Sequence, residues 1–295
     1  MTLRQLESFL AVAREGSFTR AAKRIHLSQP TLSERIRDLE TEMGKQLFSR
    51  RRRQVTLTEA GRVLEPYAAQ IVAASESATQ AMSALDGLRH GSLTIGASTT
   101  PGIYVLPRII GRFRARHPGI ALTLRIANSR TIEERVRAGH LDLGVVGGHV
   151  LGAGERCLTA GLLDELVLVV ARGHPWAKRR SIDVTRFSQQ PILMREEGSA
   201  TRYVTERALQ KAGVQCRAAM EFDHTEAIKQ AVMAGLGVAL VSVHAVRGEV
   251  AARKLVALRV RGLALRRHFH VIHAEGHPVS PSAQAFVRLL ESRAS

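Results

Sequence analysis

The stretch FTRAAKRIHLSQPTLSERIRDLETEMGKQLFSRRRRQVTLTEAG, which begins at Phe18, limits what this chain can fold into more than any other. Phe18 to Ile25 reads as a short amphipathic helix with Ala21, Ala22 and Ile25 on its apolar side. His26 and Leu27 supply a tight turn. Ser28 is placed to cap a second helix, its hydroxyl taking one of the amides that a helix start leaves without a partner. Pro30 falls in the first turn, where its missing N–H costs little. Leu32, Ile36, Leu39 and Met43 then recur at helical spacing and predict one buried stripe. Gln29, Thr31, Ser33, Glu34 and Arg37 occupy the opposite face. After Gly44 a basic run, Arg50 to Arg53, leads into an alternating VTLT segment, the pattern of a hairpin with a charged tip. Two short helices joined this way make a helix-turn-helix, whose second helix enters the major groove of DNA by its N-terminal end. Gln29, Pro30, Thr31, Ser33 and Arg37 are the candidate contacts on that helix, with Gln29, Thr31 and Ser33 suited to base edges. Arg50, Arg51, Arg52 and Arg53 are candidates for phosphate contact, part of the run being left to solvent. An ordinary helical pair with a solvated basic loop is the rival reading. It does not require cap, turn, second helix and basic hairpin to arrive in this order.

The rest of the composition sets bounds. A chain of 295 residues accommodates two or three domains, and its 45% hydrophobic content is ordinary for a chain with a real core. Met1 to Val12 is amphipathic, with Arg4 and Glu7 inside it, unlike an export signal. No stretch approaches the ~18 uninterrupted apolar residues of a membrane span. The expectation is a cytoplasmic protein with no membrane partner. Cys157 and Cys216 stand apart without partners at metal-ligand spacing, as packed cysteines of a reducing compartment or as redox sensors. The formal charge is +17. Residues 1–90 hold 14 Lys/Arg and 10 Asp/Glu, a net of +4, while the remainder holds 29 and 16, a net of +13. Most of the excess therefore lies outside the helix-turn-helix. It is open to three readings: DNA wrapped around an oligomer, an anionic ligand, or neither.

Thr58 to Leu88 reads as one long helix. Leu64, Tyr67, Ile71, Ala74, Ala78, Ala81, Leu85 and Leu88 alternate in steps of three and four, the spacing of a coiled-coil seam. That predicts dimerisation through a linker helix, as an operator read by a two-fold dimer requires. Burial of one face on a larger body is the alternative. Gly87 to Gly91 then reads as a hinge. From Gly91 onward strands and helices alternate. Strands are expected at 92–96, 120–127, 141–146, 166–171, 192–195, 218–221 and 266–273 and within GLGVALVS. Helices are expected at 103–116, 131–138, 199–212, 225–234, 244–248 and 282–293. Such alternation implies mainly parallel sheets covered by helices, in two α/β lobes with a cleft between them. Three loops open helices with hydroxyl residues, at Ala97–Pro101, Arg195–Arg202 and Asp223–Glu226. Free amides and hydroxyls at a positive helix end make an anion site, and plain N-capping is the other reading of each loop. His268 and His270 share a strand face with His273 nearby, but no Cys or carboxylate accompanies them at ligand spacing, so no metal site is expected. No phosphate-cradling glycine loop, nucleophile elbow or zinc-protease motif is present, which leaves no basis for an enzyme.

The segment from Leu3, LRQLESFLAVAREGSFTRAAKRIHLSQPTLSERIRDLE, continued through LF, R and VTLTEAG, resembles the N-terminal domain of LysR-type transcriptional regulators. The resemblance extends over essentially the whole chain. GASTTPGIYVLPRIIGRFRARHPGI is similar to a subgroup that includes regulators of carbon-fixation and sulfur-assimilation genes, and REEGSATR and EAIKQAVMAGLGVALVS match the family's second lobe. The resemblance implies a winged helix-turn-helix domain at 1–58, a linker helix and hinge at 59–90, and a two-lobed α/β effector-binding domain at 91–295. That last domain has the fold of periplasmic solute-binding proteins. Its first lobe would comprise 91–163 and 268–295, its second 164–267. It implies an effector cleft at Ser98, Thr99, Thr100, Asn128, Gly147, Ser199, Thr201, Arg202, Thr225 and Ser242. Glu34 departs from the Arg or Gln of many members and can accept from a cytosine amino group. Ala200 replaces a frequent glycine, and His149 is unusual. The expected partners are a double-stranded DNA operator, a second copy through the linker helix, a homotetramer and RNA polymerase. No cofactor is expected beyond a small anionic effector. A ligand-independent architectural DNA binder and a solute-binding α/β protein with an incidental N-terminal extension are the rival readings.

Overall fold

The computed structural model describes residues 1–49, 55–84, 90–148, 154–215 and 217–292. Arg50 to Arg53, Leu85, Leu88, His149 and Cys216 lie outside them. The N-terminal part contains α1 (Leu3–Glu15), α2 (Phe18–Arg24), α3 (Gln29–Met43), β1 (Phe48–Ser49), β2 (Thr56–Leu57) and α4 (Glu59–Ala84). Each short helix has its stop and start written locally. Ser17 accepts from the Arg20 amide, Ser28 from the Thr31 amide, and Gly16 and Gly44 close α1 and α3 in the left-handed conformation. Leu32, Ile36 and Leu39 are buried against Leu6, Phe9, Val12 and Phe18. Met43, the last position of the expected stripe, is exposed, because α3 runs past the small core in its final turn. β1 and β2 pair antiparallel, Phe48 opposite Leu57 and Ser49 opposite Thr56, forming the stem of the hairpin. Glu40 ties α3 to that stem by accepting the Leu47 and Phe48 amides at 2.7 and 3.2 Å. Gly61 has a steric reason: a Cβ there would lie 2.3 Å from the Leu47 carbonyl oxygen, so only glycine lets α4 start this close to the stem.

The C-terminal part runs β3 (Gly91–Ser98), α5 (Thr99–Tyr104), α6 (Leu106–Arg116), β4 (Ile120–Ala127), α7 (Ser129–Arg137), β5 (Leu143–Gly147) and β6 (Glu155–Ala171). It continues with β7 (Ser181–Asp183), α8 (Val184–Phe187), β8 (Ile192–Arg195), α9 (Ala200–Lys211), β9 (Ala218–Phe222), α10 (Thr225–Met233) and β10 (Ala239–Ser242). α11 (Val243–Ala251), β11 (Leu255–Arg261), β12 (Arg266–Ala274) and α12 (Pro281–Glu291) complete it. The strands form the order β4-β3-β5-β12-β6-β11-β7, with β10 also on β6 and β8-β9 as a separate pair. Two lobes result, each with its own core. Phe113, Leu143, Val271 and Phe286 anchor the first. Leu168, Trp176, Phe187 and Leu240 belong to the second.

Three expectations need correction. The single helix at 103–116 is two helices broken at Val105. Pro107 has no N–H to give and its ring would strike the carbonyl four residues back, so a new helix starts there. The strand expected at 166–171 is the end of a 17-residue strand, β6. The sheets are mixed rather than mainly parallel: β3 pairs parallel with β4 and β5, but β6 runs antiparallel to β10, β11 and β12. The cause is that β6 passes from one lobe into the other, and β12 returns beside it. β7, α8 and β11 had no counterpart in the expected elements.

Candidate functional site

The outer face of α3 presents Gln29, Pro30, Glu34 and Arg37 to solvent, with Thr31 and Ser33 half-buried beside them. Gln29 is braced by the Thr19 hydroxyl, which donates to its Oε1 at 3.0 Å and so ties α2 to the start of α3. Thr31 shares a 2.8 Å hydrogen bond with the capping Ser28. The five candidate contacts Gln29, Pro30, Thr31, Ser33 and Arg37 thus lie within the first nine residues of α3, none of them buried. The four arginines of the hairpin tip lie outside the described residues.

A second constellation sits between the lobes, where strand ends meet helix starts. A tight cavity of about 10 Å³ is lined by Ser98, Thr99 and Thr100 from the β3–α5 junction and by Asn128 and Ser129 from the β4–α7 junction. Arg195, Ser199, Ala200 and Thr201 line it from β8 and α9, and Arg267 from β12. Ser98 and Ser199 stand at N-cap positions but make no side-chain cap hydrogen bond, so these hydroxyls are not consumed by their own helices. Asn128 does cap its helix, accepting the Thr131 amide at 3.0 Å. Both arginines are almost completely buried, at 3% and 6% exposure. Arg195 is held by Glu196 at 2.7 Å and donates to Thr225 at 2.9 Å and, across the cleft, to Thr99 at 3.3 Å. Arg267 is held by Asp164 at 2.7 Å and donates to Thr201 at 3.2 Å. Burial lowers the proton affinity of Arg267 from its ordinary value; Asp164 opposes this and the like charge of Arg195 adds to it. Each guanidinium thus has one acid partner, and the cavity wall is a set of donors with no carboxylate of its own.

The opening beside this cavity includes Gly147, Glu133 and Arg202. Burial, and next the neighbouring Glu155, push the Glu133 carboxyl up to about 7. Further latches join the lobes. Tyr104 donates to Glu226, and Arg130 meets Glu197 at 3.0 Å.

Two family descriptions match the chain: a bacterial regulatory helix-turn-helix protein of the lysR family over residues 3–62, and the LysR substrate binding domain over residues 86–295. The chain is a LysR-family transcriptional regulator. It binds DNA through the helix-turn-helix and carries an effector-binding fold; members of this family are regulators, not enzymes, and they oligomerise. The regulator is 38% identical over 295 residues to the RuBisCO operon transcriptional regulator of Allochromatium vinosum, covering 100% of this chain and 97% of that one. Its fold is similar to that of a full-length OxyR variant from Pseudomonas aeruginosa, with a TM-score of 0.80 at 24% identity, covering 100% and 94% of the two chains. The regulatory domain of Synechocystis CcmR in complex with 2-PG gives a TM-score of 0.64 at 28% identity, covering 70% of the regulator and 98% of that domain.

Of the ten cleft residues expected from sequence, Ser98, Thr99, Thr100, Asn128, Ser199 and Thr201 converge on the cavity. Gly147 lies at the opening, where a Cβ would come within 3.0 Å of the Phe269 ring. Arg202 also lines the opening, but its guanidinium is bonded to Glu206 and Glu221, which raise its proton affinity and hold it away from the cavity. Thr225 and Ser242 stand behind the wall: Thr225 accepts from Arg195, and Ser242 donates to Asp164 at 2.6 Å. Sequence reasoning missed Arg195, Arg267, Asp164 and Ser129. A signal for Arg267 exists, since it is in phase with Phe269 and Val271 on the inward face of β12.

The linker helix corrects one further expectation. Leu64 does not belong to an outward seam; with Ala68 and Val72 it packs on the core of the reading head. Tyr67, Ile71, Ala74 and Ala78 do face outward, joined by Val63 and Met82.

Proposed function

We propose that the regulator controls carbon-fixation genes in response to a small anionic metabolite bound between its lobes. The observation that carries the effector reading is the single cavity into which six hydroxyl side chains and two buried guanidiniums converge. At about 10 Å³ the cavity has room for about one water, so a metabolite would fit only once the lobes move apart. Donors without a carboxylate among them favour an acceptor-rich ligand, and charge-assisted bonds of this type are worth roughly 1.5–3 kcal/mol each. The gene class rests on the 38% identity to a regulator named for the RuBisCO operon, and the 2-PG held by the Synechocystis domain makes it the first ligand to test. By changing how the lobes sit against each other, the ligand would favour one arrangement of the reading heads, acting only through its preference for that arrangement.

Calorimetry on the full chain tests this with 2-PG and other small phosphorylated and carboxylated metabolites, beside uncharged analogues. One of the anions is expected to bind, and Thr201→Ala or Thr100→Ala to weaken it about ten-fold or more, with operator affinity unchanged in the absence of ligand. Unchanged ligand affinity in both variants, or an uncharged analogue that binds as tightly, refutes the reading.

On DNA, Gln29, Thr31 and Ser33 read base edges from the start of α3, Pro30 shapes that start, and Arg37 with Arg50 to Arg53 contacts phosphate. Gln29→Ala should cost roughly 1–3 kcal/mol on the operator and relax sequence preference. Competition binding with random DNA checks this, and an unchanged ratio of specific to random affinity contradicts it. Footprinting on the promoter of the divergently transcribed neighbour locates that operator. Two copies pair through α4, dimers associate into a tetramer, and the DNA-bound assembly contacts RNA polymerase. The exposed apolar face of α4 supports the first of these, and family resemblance the other two.

A further inference from the structure

The effector cavity does not account for the charge of the C-terminal part, whose net is +13. Its two arginines are matched by Glu196 and Asp164. Much of the surplus gathers at the far edge of the second lobe. There β7 is the edge strand and pairs parallel with β11, placing Arg259 opposite Ser181 and Arg261 opposite Asp183. The Arg259 amide bonds the Arg180 carbonyl, which fixes the preceding turn against the same strand. Lys178, Arg179, Arg180, Arg186, Arg259 and Arg261 are all exposed there. Asp183 is the one acidic residue in the two stretches 172–190 and 255–267. Its carboxylate is already engaged, accepting the Thr185 amide and hydroxyl at 3.1 and 2.9 Å as the cap of α8. Among the described residues no ion pair involves any of the six cations. Arg259 and Arg261 alternate with buried Val260, so they project from one sheet face about 6.6 Å apart.

We propose that this edge of the second lobe is a second, sequence-independent DNA contact, which grips the phosphate backbone of DNA flanking the operator. Four considerations favour DNA over an acidic protein. The patch has cations but no apolar centre, whereas protein interfaces are built around one. The large exposed apolar residues of this lobe, such as Tyr203, Met220 and Leu236, lie outside both stretches. Guanidiniums in a row suit a regular line of phosphates and need no particular base. The reading head already holds the polyanion, so a second contact on the same DNA gains from a high effective concentration.

The test compares the full-length protein on a fragment confined to the operator and on one with long flanks, over a range of salt. The wild type should bind the long fragment more tightly and with a steeper salt dependence. Arg259→Gln combined with Arg261→Gln should bind the short fragment as the wild type does. On the long fragment its slope of log affinity against log salt should fall by about 1.8, two contacts at about 0.9 each, and the DNA bend measured by electrophoresis should shrink. Unchanged short-fragment binding shows that the reading head is intact, so a failure here is separable from a failure of operator recognition. A variant whose long-fragment slope and bend equal the wild type's overturns the proposal. If such a variant also lost transcription activation, the patch would be a surface for an acidic protein instead.

Discussion

Replacing Asp164 by alanine is expected to destabilise the C-terminal part by roughly 3–5 kcal/mol, the usual consequence of removing one partner from a buried ion pair. Asp164 is 1% exposed and sits on β6 where that strand leaves the first lobe. One carboxylate oxygen accepts from Arg267 at 2.7 Å, the other from Ser242 at 2.6 Å. Arg267 is its cross-strand neighbour on β12. The pair therefore joins the two strands that cross between lobes to the start of α11. Without Asp164 the Arg267 guanidinium keeps Thr201 as a hydrogen-bond partner and no counter-charge. Trp176, the chain's one tryptophan, is buried in the second-lobe core, so its fluorescence in a denaturant titration reports the loss. A shift equivalent to less than about 1 kcal/mol, the worth of an exposed pair, contradicts the assignment. The double variant Asp164→Ala with Arg267→Met separates charge from packing. Replacing a whole buried pair by apolar groups of similar size is often close to neutral, so most of the stability should return. A double variant as unstable as the single one would show that an unpaired charge is not the cause.

What the sequence made legible and what it hid divide along the range of the interactions. Ser17, Ser28, Pro30 and Gly44 act within four residues of themselves, so α2 and α3 were readable with their turn and caps. The hydroxyl loops were readable for the same reason, and six of the ten residues expected in the cleft line the cavity. β6 was not. Its first ten residues carry Glu155, Arg156 and Asp164 among its apolar residues, and no local alternation survives a strand that serves two lobes. Arg195 and Arg267 were passed over because the burial of a cation depends on partners elsewhere. For Arg267 that partner is Asp164, 103 residues away. For Arg195, Glu196 is adjacent, but Thr99 and Thr225 are remote. Arg202, the arginine that did stand out in its loop, is claimed by Glu206 one helical turn on and by Glu221 on β9. Pro107 is a different case, since the break it imposes is local and was open to reading.

A charge on the outer face of α4 should produce the second large effect. Ile71→Glu is expected to dissociate the dimer and to lower operator affinity about a hundred-fold or more. Tyr67, at 60% exposure, and Ile71, at 41%, stand one helical turn apart, and Val63 and Met82 extend the same apolar face. The opposite face is already occupied by the reading head through Leu64, Ala68 and Val72. An apolar stripe left on an otherwise amphipathic helix is the ordinary sign of a second helix packing there. A carboxylate at Ile71 would then be buried without a partner, at a cost of several kcal/mol. A single chain tolerates it, because Ile71 faces solvent within one copy, so thermal melting of the second lobe followed at Trp176 should not change. Operator affinity falls because two joined reading heads gain 10²–10⁴ in avidity over one. Light scattering gives the mass and a binding titration the affinity. The variant should lose both dimer mass and operator affinity, while an Ile71→Leu control retains both. An unchanged dimer or tetramer mass for Ile71→Glu would place the pairing surface elsewhere on the molecule. A monomer that still bound the operator as tightly would show that recognition does not depend on joining the heads.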